Sequence, residues 1–288
     1  MVGVGKLMRL SGLQGGEMKI IRVFPSRTSF TPTDPMAFVG DPGLWRPEAD
    51  EVHVSVAFTW DIAEGRRLQA AWLVYYPVVK IGGPAIGQHN YSSWFEPGLY
   101  VKQGVTFTSR GCDNNCPWCA VPDREGNLRE TNSFAPGYII ADNNLLQTAQ
   151  QHQAEVFAML RTQRAAVFSG GLQASLLSDW FVDQLKTIKI NQLFLAADTM
   201  AHLRPLEKAL NKLDWLPRQK KRVYTMIGTE TIEAAIERLE AVWQLGGMPF
   251  AQLYRSIDGG ENYSQAWRDL QRKWQRPAAM AAAHKAGA

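Results

Sequence analysis

Short apolar segments alternate with longer amphipathic segments through most of the second half of the chain. The short segments predict six β-strands, namely GVTFTS, YIIADNN, AAVFSGG, INQLFLAAD, KRVYTMIG and PFAQLYRS. The segments between them carry apolar residues at helical spacing and predict helices, namely LLQTAQQHQAEVFAMLRTQ, SDWFVDQLKTI, HLRPLEKALNKL and TETIEAAIERLEAVWQLG. Regular alternation of this kind is typical of a parallel sheet. We therefore predict an α/β fold in which residues 104–262 form a partial (β/α)6 barrel of the TIM type.

The same kind of pattern predicts a smaller α/β domain ahead of the barrel, in residues 18–103. MKIIRVF and EVHVSVAFTW predict strands, and DIAEGRRLQAAWL predicts a helix with Asp61 as its N-cap. YYPVVKIGGPA predicts a further strand that runs into a glycine turn. These elements predict a half-Rossmann-like unit.

The two ends of the chain differ from the segments between them. Residues 1–17 are rich in glycine and show no apolar pattern, so they are predicted to be a flexible leader. In residues 263–288, YSQAWRDLQRKWQRP predicts an amphipathic basic helix that ends at Pro277. The remaining AAMAAAHKAGA is predicted to be a frayed tail.

Composition limits the kind of protein. With 45% hydrophobic residues among 288, the chain is able to bury a large core without disulfide bonds. No apolar run approaches the roughly 20 residues that cross a membrane, and the first residues lack the apolar core of a signal peptide. We therefore expect a cytoplasmic protein with no membrane partner. The net charge of +4 permits an acidic or nucleic-acid partner.

The three cysteines of the chain all lie in the segment TSRGCDNNCPWCAVP, at Cys112, Cys116 and Cys119. An odd, clustered set is a poor disulfide framework and suits a reducing compartment, where thiolates bind metal or do redox chemistry. Three thiolates on one short loop are able to bind three irons of a four-iron cluster and leave the fourth iron without a protein ligand. The alternatives are a structural zinc site and inert buried thiols. Zinc usually takes four protein ligands, and the five histidines all lie outside this loop.

The Cys-x3-Cys-x2-Cys spacing, directly after the first predicted barrel strand and with an aromatic residue before the last cysteine, resembles the radical S-adenosylmethionine (SAM) enzymes. The resemblance covers residues 104–256. It implies a 4Fe-4S cluster whose open iron binds the amino and carboxyl groups of SAM. In such enzymes the reduced cluster cleaves SAM to methionine and a 5′-deoxyadenosyl radical, which abstracts a hydrogen atom from the substrate. It also implies an oxygen-sensitive cluster and an electron donor of the flavodoxin or ferredoxin type.

Residues at the ends of the predicted strands share one rim of such a barrel, and the resemblance carries SAM-binding roles to ten of them. These are Trp118, Asp142, Asn143, Asn144, Gly170, Gly171, Gln173, Ile227, Gly228 and Tyr254. Many family members have a Gly-Gly-Glu run at the end of the second strand, and this chain departs from that pattern with Asp142 to Asn144. Helix capping by Asp142 and ordinary loop packing of Trp118 are the alternatives.

Asp198 and Arg255 are predicted to be catalytic together with the three cysteines. Asp198 follows the fourth strand, where its carboxylate could accept hydrogen bonds from ribose or substrate. Arg255 follows the sixth strand and could contact the substrate. The alternatives are helix capping for Asp198 and a solvated side chain for Arg255.

The predicted front domain resembles the helper domain of cobalamin-dependent radical SAM enzymes, because a β-α-β unit that ends in IGGP precedes the barrel. The Asp-x-His-x-x-Gly motif of those enzymes is absent from the sequence. We therefore expect no cobalamin, and a degenerate domain that shapes the substrate site.

The substrate is predicted from aromatic and basic side chains outside the barrel. The aromatic residues that could cover the rim are Trp45, Tyr91, Trp94 and Phe95. The basic helix carries side chains that suit phosphates, at Arg268, Arg272, Lys273 and Arg276. The hypothesis is a small-molecule or nucleotide-like substrate, such as a base with an amino-acid substituent that is isomerised. A modified base in DNA, of the kind that some bacteriophage radical SAM enzymes rework, also fits.

Two other functions remain open from the sequence. One is an RNA-modifying enzyme of the methylthiotransferase type, which is disfavoured because such enzymes usually carry three further cysteines. The other is a non-catalytic iron-sulfur or zinc module that binds a partner.

Overall fold

The computed structural model describes residues 18–86, 99–256 and 259–285. These residues form two parallel sheets, one two-stranded hairpin and the helices that pack against them. No helix in the described ranges is both long and apolar enough to cross a membrane.

The first sheet is formed by residues ahead of the cysteine loop. Its elements are β1 (Ile20–Phe24), β2 (Ala37–Val39), β3 (Glu51–Ser55), α1 (Ile62–Leu73) and β4 (Val79–Gly82). The four strands are parallel in the order β2-β1-β3-β4. Leu68 and Trp72 of α1 are fully buried in one cluster with Val52 and Val54 of β3. The predicted β-α-β unit is present, and β2 was not predicted because three residues in a Pro/Gly-rich loop carry too little alternation to show a strand.

Asp61 occupies the N-cap position of α1, as predicted, but its side chain does not cap the helix. A short 3-10 turn, Thr59–Asp61, leads into α1, and Asp61 has φ −94° and ψ 1° instead of the extended conformation that is typical of an N-cap. Its side chain makes no cap hydrogen bond. Instead, Oδ2 of Asp61 accepts a hydrogen bond of 2.8 Å from the Ser26 hydroxyl, which ties the start of α1 to the end of β1.

The second sheet contains the six predicted barrel strands. The elements of this half, in chain order, are β5 (Val105–Thr106), β6 (Ser109–Arg110), α2 (Val121–Glu125), β7 (Arg129–Glu130), β8 (Ile139–Ile140), α3 (Gln150–Leu160), β9 (Ala166–Leu172), α4 (Asp179–Lys186), β10 (Ile190–Ala196), α5 (Leu203–Lys212), β11 (Lys221–Ile227), α6 (Ile232–Gln244), β12 (Met248–Leu253), α7 (Gln265–Gln275) and α8 (Pro277–Lys285). All six strands of the sheet are parallel, in the order β5-β8-β9-β10-β11-β12. The α/β class and the parallel sheet are confirmed, while the curved, partly closed barrel stays a prediction.

Helices α3 and α4 cover the middle of the second sheet through aromatic packing. Phe157 of α3 and Phe181 of α4 meet edge to face at 4.9 Å between ring centroids, and Phe168 of β9 lies beside both. All three rings are buried. Because consecutive strands pair in chain order, each strand end comes to the same edge of the sheet as its neighbours. This places the loops after β5, β8, β9 and β10 beside one another.

The segment predicted to fray instead forms helix α8. Met280 is completely buried, and the His284 ring stacks on Trp243 at 4.2 Å while its Nε2 lies 2.8 Å from Glu240 Oε2. Pro277 does end the preceding helix, since α7 stops at Gln275. It also occupies the first position of α8, where its fixed φ favours a helix start.

Replacement of Met280 by alanine should therefore destabilise the protein. The buried side chain would leave a cavity beside Trp274, and such substitutions cost about 2 to 5 kcal/mol. Arg276→Ala is the control, because this exposed side chain should change the free energy of unfolding by no more than about 0.5 kcal/mol. Urea unfolding followed by circular dichroism measures both. Equal stabilities for the two variants would show that α8 does not pack as described.

Candidate functional site

The cysteine loop leaves and re-enters the structure through the hairpin of β6 and β7. Ser109 pairs with Glu130 in this hairpin, so the two ends of the loop are held together. Gly111 has φ +79°, and a Cβ at this position would lie 2.1 Å from the Asn127 carbonyl oxygen. Only glycine fits there. The backbone N–H of Cys112 donates to Gly126 at 3.1 Å, which fixes the first cysteine against the far side of the loop.

Glu125 is the ionic anchor of the cysteine loop. Its carboxylate accepts hydrogen bonds from the Arg110 guanidinium at 2.8 Å, from Gly111 N at 3.2 Å and from Asn143 Nδ2 at 2.8 Å. The pair is sheltered, with side-chain exposures of 14% for Arg110 and 10% for Glu125. Glu125 thus joins α2, the start of the loop and the end of β8. Sequence analysis missed this residue, because one glutamate on a short helix resembles any surface residue.

An amide network holds the segment between the first two cysteines. Gln173 Oε1 accepts from Asn114 Nδ2 and from Asn144 Nδ2, each at 2.9 Å. Gln147 donates to Asn114 Oδ1 at 3.1 Å and accepts from Asp113 N at 3.0 Å. The loop is therefore bonded to the segments that follow β8 and β9. This arrangement positions the cysteines before any ligand binds.

One cavity of about 550 Å³, here called the thiol cavity, is lined by all three cysteines. Several predicted site residues also line it, namely Trp118, Asn143, Asn144, Gly171, Gln173 and Asp198. They come from the cysteine loop and from the ends of β8, β9 and β10. These strand ends and the cysteine loop therefore share the lining of one cavity, while the SAM-binding roles of the residues stay a prediction.

Asn144 presents an unsatisfied acceptor in the thiol cavity. The residue is 3% exposed, and its Oδ1 has no hydrogen-bond partner although Nδ2 is used by Gln173. A buried polar atom without a partner is costly, so a ligand that supplies a donor would be favoured. A ligand with an ammonium group fits this atom. The thiols and this acceptor are thus compatible with a cluster and a bound SAM molecule.

The pKa values of the Cys116 and Cys119 thiols lie above that of free cysteine. Burial raises the pKa of Cys116, and the neighbouring Cys119 and Asp198 raise it further. Burial also raises the pKa of Cys119, while a hydrogen bond from the Val121 backbone and the charge of Arg124 act in the opposite direction. Iron binds thiolates, so loading of this site should release protons.

Asp198 is fixed at the end of β10 by two hydrogen bonds. Its Oδ1 accepts from Met226 N at 2.9 Å, and its backbone N donates to His202 Nδ1 at 3.2 Å. Burial raises the pKa of its carboxyl group, and the hydrogen bond from Met226 N opposes this shift. Asp198 does not cap α5, whose N-cap is His202. Asp198 and Trp118 both line the thiol cavity.

Asp142 and Gly170 support the thiol cavity from behind. Asp142 is buried, and its oxygens accept hydrogen bonds from Thr108 N, Thr108 Oγ1 and Ser109 Oγ at 2.6, 2.5 and 2.8 Å. Burial raises the pKa of this carboxyl group, while the hydrogen bonds lower it. A Cβ on Gly170 would lie 1.6 Å from the Asp142 carbonyl oxygen, which leaves room for glycine alone. Asp142 does not cap the turn that follows, since that N-cap is Asn144.

The remaining predicted residues follow β11 and β12, away from the thiol cavity. Ile227 is completely buried in a core cluster with Ala235 and Leu239. Gly228 has φ +98°, and a Cβ there would lie 2.6 Å from the Tyr263 ring. These two residues serve packing and chain reversal in this structure. They follow the same end of the parallel sheet as Asp142, so the strand assignment behind their prediction holds.

Tyr254 and Arg255 line a second cavity of about 310 Å³, here called the aromatic cleft. Phe58 and Trp60, from the segment after β3, form one wall of it. The cysteine loop forms another wall, and the residues of this loop that line both cavities are Pro117, Trp118 and Cys119. Arg255 is therefore not simply solvated, because its guanidinium lies 4.9 Å from the centroid of the Trp60 ring.

The predicted aromatic lid is only partly described by the structure. Trp45 stacks on Phe38 at 5.9 Å between ring centroids and lines neither cavity. Residues 87–98, which include Tyr91, Trp94 and Phe95, lie outside the described ranges. Sequence reasoning missed Phe58 and Trp60, which it assigned to a strand.

The side chains of the described ranges contain no group of three or more His, Cys, Asp or Glu that converges on one metal ion. A single zinc ion would need such convergence. The geometry therefore gives no support to the zinc alternative.

No known family model matches the sequence, and no curated protein is similar to it in sequence. A solved structure does match: the radical S-adenosylmethionine methyltransferase TsrM from Kitasatospora setae, with cobalamin and a [4Fe-4S] cluster bound. The match has a TM-score of 0.57 at 12% sequence identity and covers 82% of this chain and 75% of that chain. The chain resembles a radical SAM enzyme in fold. At this identity the similarity concerns the fold alone.

The expectation that cobalamin is absent is contradicted by this comparison, because the similar structure binds cobalamin as well as the cluster. The expectation rested on the missing Asp-x-His-x-x-Gly motif. That motif concerns a single histidine. Its absence does not exclude the cofactor from a chain of this fold.

Removal of the Glu125 carboxylate should loosen the cysteine loop. Glu125→Ala leaves the sheltered Arg110 without its partner, and such losses cost about 3 to 5 kcal/mol. The variant should unfold at lower urea concentration and retain less iron after anaerobic reconstitution. Glu237→Ala, at an exposed position on α6, is the matched control. Wild-type stability and iron content in Glu125→Ala would contradict the anchoring role.

Proposed function

We propose that the protein is a radical SAM enzyme in which Cys112, Cys116 and Cys119 hold a 4Fe-4S cluster. The observation that carries the proposal is that all three thiols line one cavity at the ends of parallel strands. The similarity in fold to a radical SAM methyltransferase supports it independently of the cysteine spacing. The spacing of the three cysteines alone would not distinguish a 4Fe-4S cluster from another metal site.

The residues of the thiol cavity divide the work of binding. The cysteines would ligate three irons, and Asn144 Oδ1 would accept a hydrogen bond from the amino group of SAM. Trp118 would form the side of the cavity that faces the adenosyl group. When bound, the reduced cluster supplies the electron that cleaves SAM and so provides a 5′-deoxyadenosyl radical for hydrogen abstraction. The chain's own part is to hold, orient and shelter these groups.

The finer proposal is a nucleotide-like substrate, modified by isomerisation or a related reaction, with DNA that carries modified bases as one form. The aromatic cleft beside the cysteine loop supports it, as do the exposed basic side chains of α7, Arg268, Arg272, Lys273 and Arg276. An acidic electron donor of the flavodoxin or ferredoxin type would complete the reaction in the cytoplasm. RNA methylthiotransferase activity is disfavoured because the chain has three cysteines in total.

Substitution of any one of the three cysteines by alanine should abolish cluster assembly. Each thiolate anchors a separate iron, so its loss leaves that iron without a protein ligand. The measurements are iron and sulfide content after anaerobic reconstitution, and 5′-deoxyadenosine released from SAM on reduction with dithionite. Wild type should give about four irons per chain and 5′-deoxyadenosine, and both should be lost in air. A cysteine variant that keeps a full cluster and cleaves SAM would refute the assignment.

A second candidate function is methyl transfer assisted by cobalamin. It is favoured by the fold similarity, which extends over 82% of this chain to a methyltransferase with cobalamin bound. Within the described front sheet, His53 is engaged by Tyr100 at Nδ1 and by Glu51 at Nε2, so it is not free to bind cobalt. Other contacts would have to hold the corrin.

This candidate predicts that the reconstituted protein retains hydroxocobalamin in equimolar amount through anaerobic gel filtration, as read from visible absorbance. Bovine serum albumin carried through the same column is the control for trapped cofactor. Failure to retain the corrin in a protein with a complete cluster would remove the second candidate and leave the first untouched.

A further inference from the structure

Three separate segments of the chain line the aromatic cleft. Phe58 and Trp60 come from the segment after β3, Trp118 and Cys119 come from the cysteine loop, and Tyr254 with Arg255 follows β12. The cleft thus lies where the ends of both parallel sheets face the cysteine loop. Ligands of open α/β sheets bind outside the carboxyl ends of the strands. The position of the aromatic cleft is therefore typical of a ligand-binding site.

The front wall of the cleft is a flat aromatic platform. The rings of Phe58 and Trp60 are stacked at 4.7 Å between centroids with an angle of 8° between their planes. They remain 38% and 39% exposed, although side chains of this size are usually well buried. Paired, partly exposed rings beside a cavity offer a stacking surface to another flat ring.

The charge of the cleft is positive. Arg124 and Arg255 line it, and Asp123 is the one carboxylate among its lining residues. Neither arginine forms a salt bridge within the described ranges, and the hydrogen bond found for Arg124 runs from Nε to the Ala120 carbonyl at 3.4 Å. Guanidinium groups with free N–H donors bind phosphate and carboxylate strongly. A ligand that brings an anion would meet two such groups.

We propose that the aromatic cleft binds the substrate through a flat ring that carries a phosphate, as in a nucleoside monophosphate. The ring would stack beside Phe58 and Trp60, and the phosphate would pair with Arg124 and Arg255. Because Trp118 and Cys119 line both the cleft and the thiol cavity, a bound ring lies next to the wall of the cavity. This inference rests on the proposed function and assigns the substrate to a site distinct from the thiol cavity.

The test is calorimetric titration of the reconstituted protein under anaerobic conditions, with SAM present and no reductant. Under the proposed function SAM fills the thiol cavity, so further binding of a probe reports on the cleft. The probes are thymidine 5′-monophosphate, thymidine and 2-deoxyribose 5-phosphate, which separate the contribution of the ring from that of the phosphate. We expect the nucleotide to bind at least about tenfold more tightly than either fragment.

Variants assign the binding to the cleft. Trp60→Leu and Arg255→Gln should each weaken binding of thymidine 5′-monophosphate about tenfold, whereas Trp60→Phe should retain most of the affinity. The matched controls are Trp45→Leu, an exposed tryptophan that lines neither cavity, and Arg204→Gln, an exposed arginine outside the cleft. Neither control should change the affinity. Thermal melts establish that each variant is folded before titration.

Two results would overturn the proposal. The first is equal affinity of wild type, Trp60→Leu and Arg255→Gln for the nucleotide, including no measurable binding by any of them. The second is that hydroxocobalamin displaces the nucleotide from wild type and does not bind to Trp60→Leu or Arg255→Gln. This result would assign the cleft to the cofactor. Release of 5′-deoxyadenosine by reduced wild type without substrate tests the proposed function separately. Its presence with failed titrations would reject the cleft alone.

Discussion

The buried carboxylate of Asp142 connects the cysteine loop to the parallel sheet. It accepts three hydrogen bonds from Thr108 and Ser109, which lead into the loop. The backbone of Gly170 packs closely against the main-chain carbonyl of Asp142. His152 adds a bond of 3.0 Å between its Nε2 and the Thr108 hydroxyl. A buried, fully bonded carboxylate fixes geometry because any displacement leaves a charge without partners. The place of the three thiols over the strand ends depends on this contact.

Two cavities lie on opposite sides of the last part of the cysteine loop. The thiol cavity lies toward the ends of β8, β9 and β10, and the aromatic cleft lies toward the front sheet. Pro117, Trp118 and Cys119 line both cavities, so a ligand in the cleft would contact the same loop residues that border the thiol cavity.

The sequence was sufficient for the features that repeat or cluster. Alternating apolar segments predicted all six strands of the second sheet, because buried parallel strands between amphipathic helices leave a strong pattern. The clustering of Cys112, Cys116 and Cys119 in the sequence predicted that they share one site, and all three line the thiol cavity. Asn144, Gln173 and Asp198 were placed near the cysteines because ends of parallel strands share one edge.

Features that depend on tertiary contacts were not visible in the sequence. Asp142 was predicted to bind SAM, yet its carboxylate oxygens accept hydrogen bonds from Thr108 and Ser109. Glu125 anchors the cysteine loop because the fold brings it within hydrogen-bond distance of the Arg110 guanidinium. The order of α8 depends on Trp243 and Glu240 beneath it, and the cobalamin prediction failed because a short motif is a poor measure of what a whole domain binds.

Electron paramagnetic resonance of the reconstituted, dithionite-reduced protein, recorded before and after addition of SAM, tests whether the three thiols hold a 4Fe-4S cluster with one iron open to SAM. We expect the signal of a reduced 4Fe-4S cluster, with a shape that changes when SAM binds the open iron. A signal that SAM leaves unchanged, in a protein with a full complement of iron, would contradict this expectation.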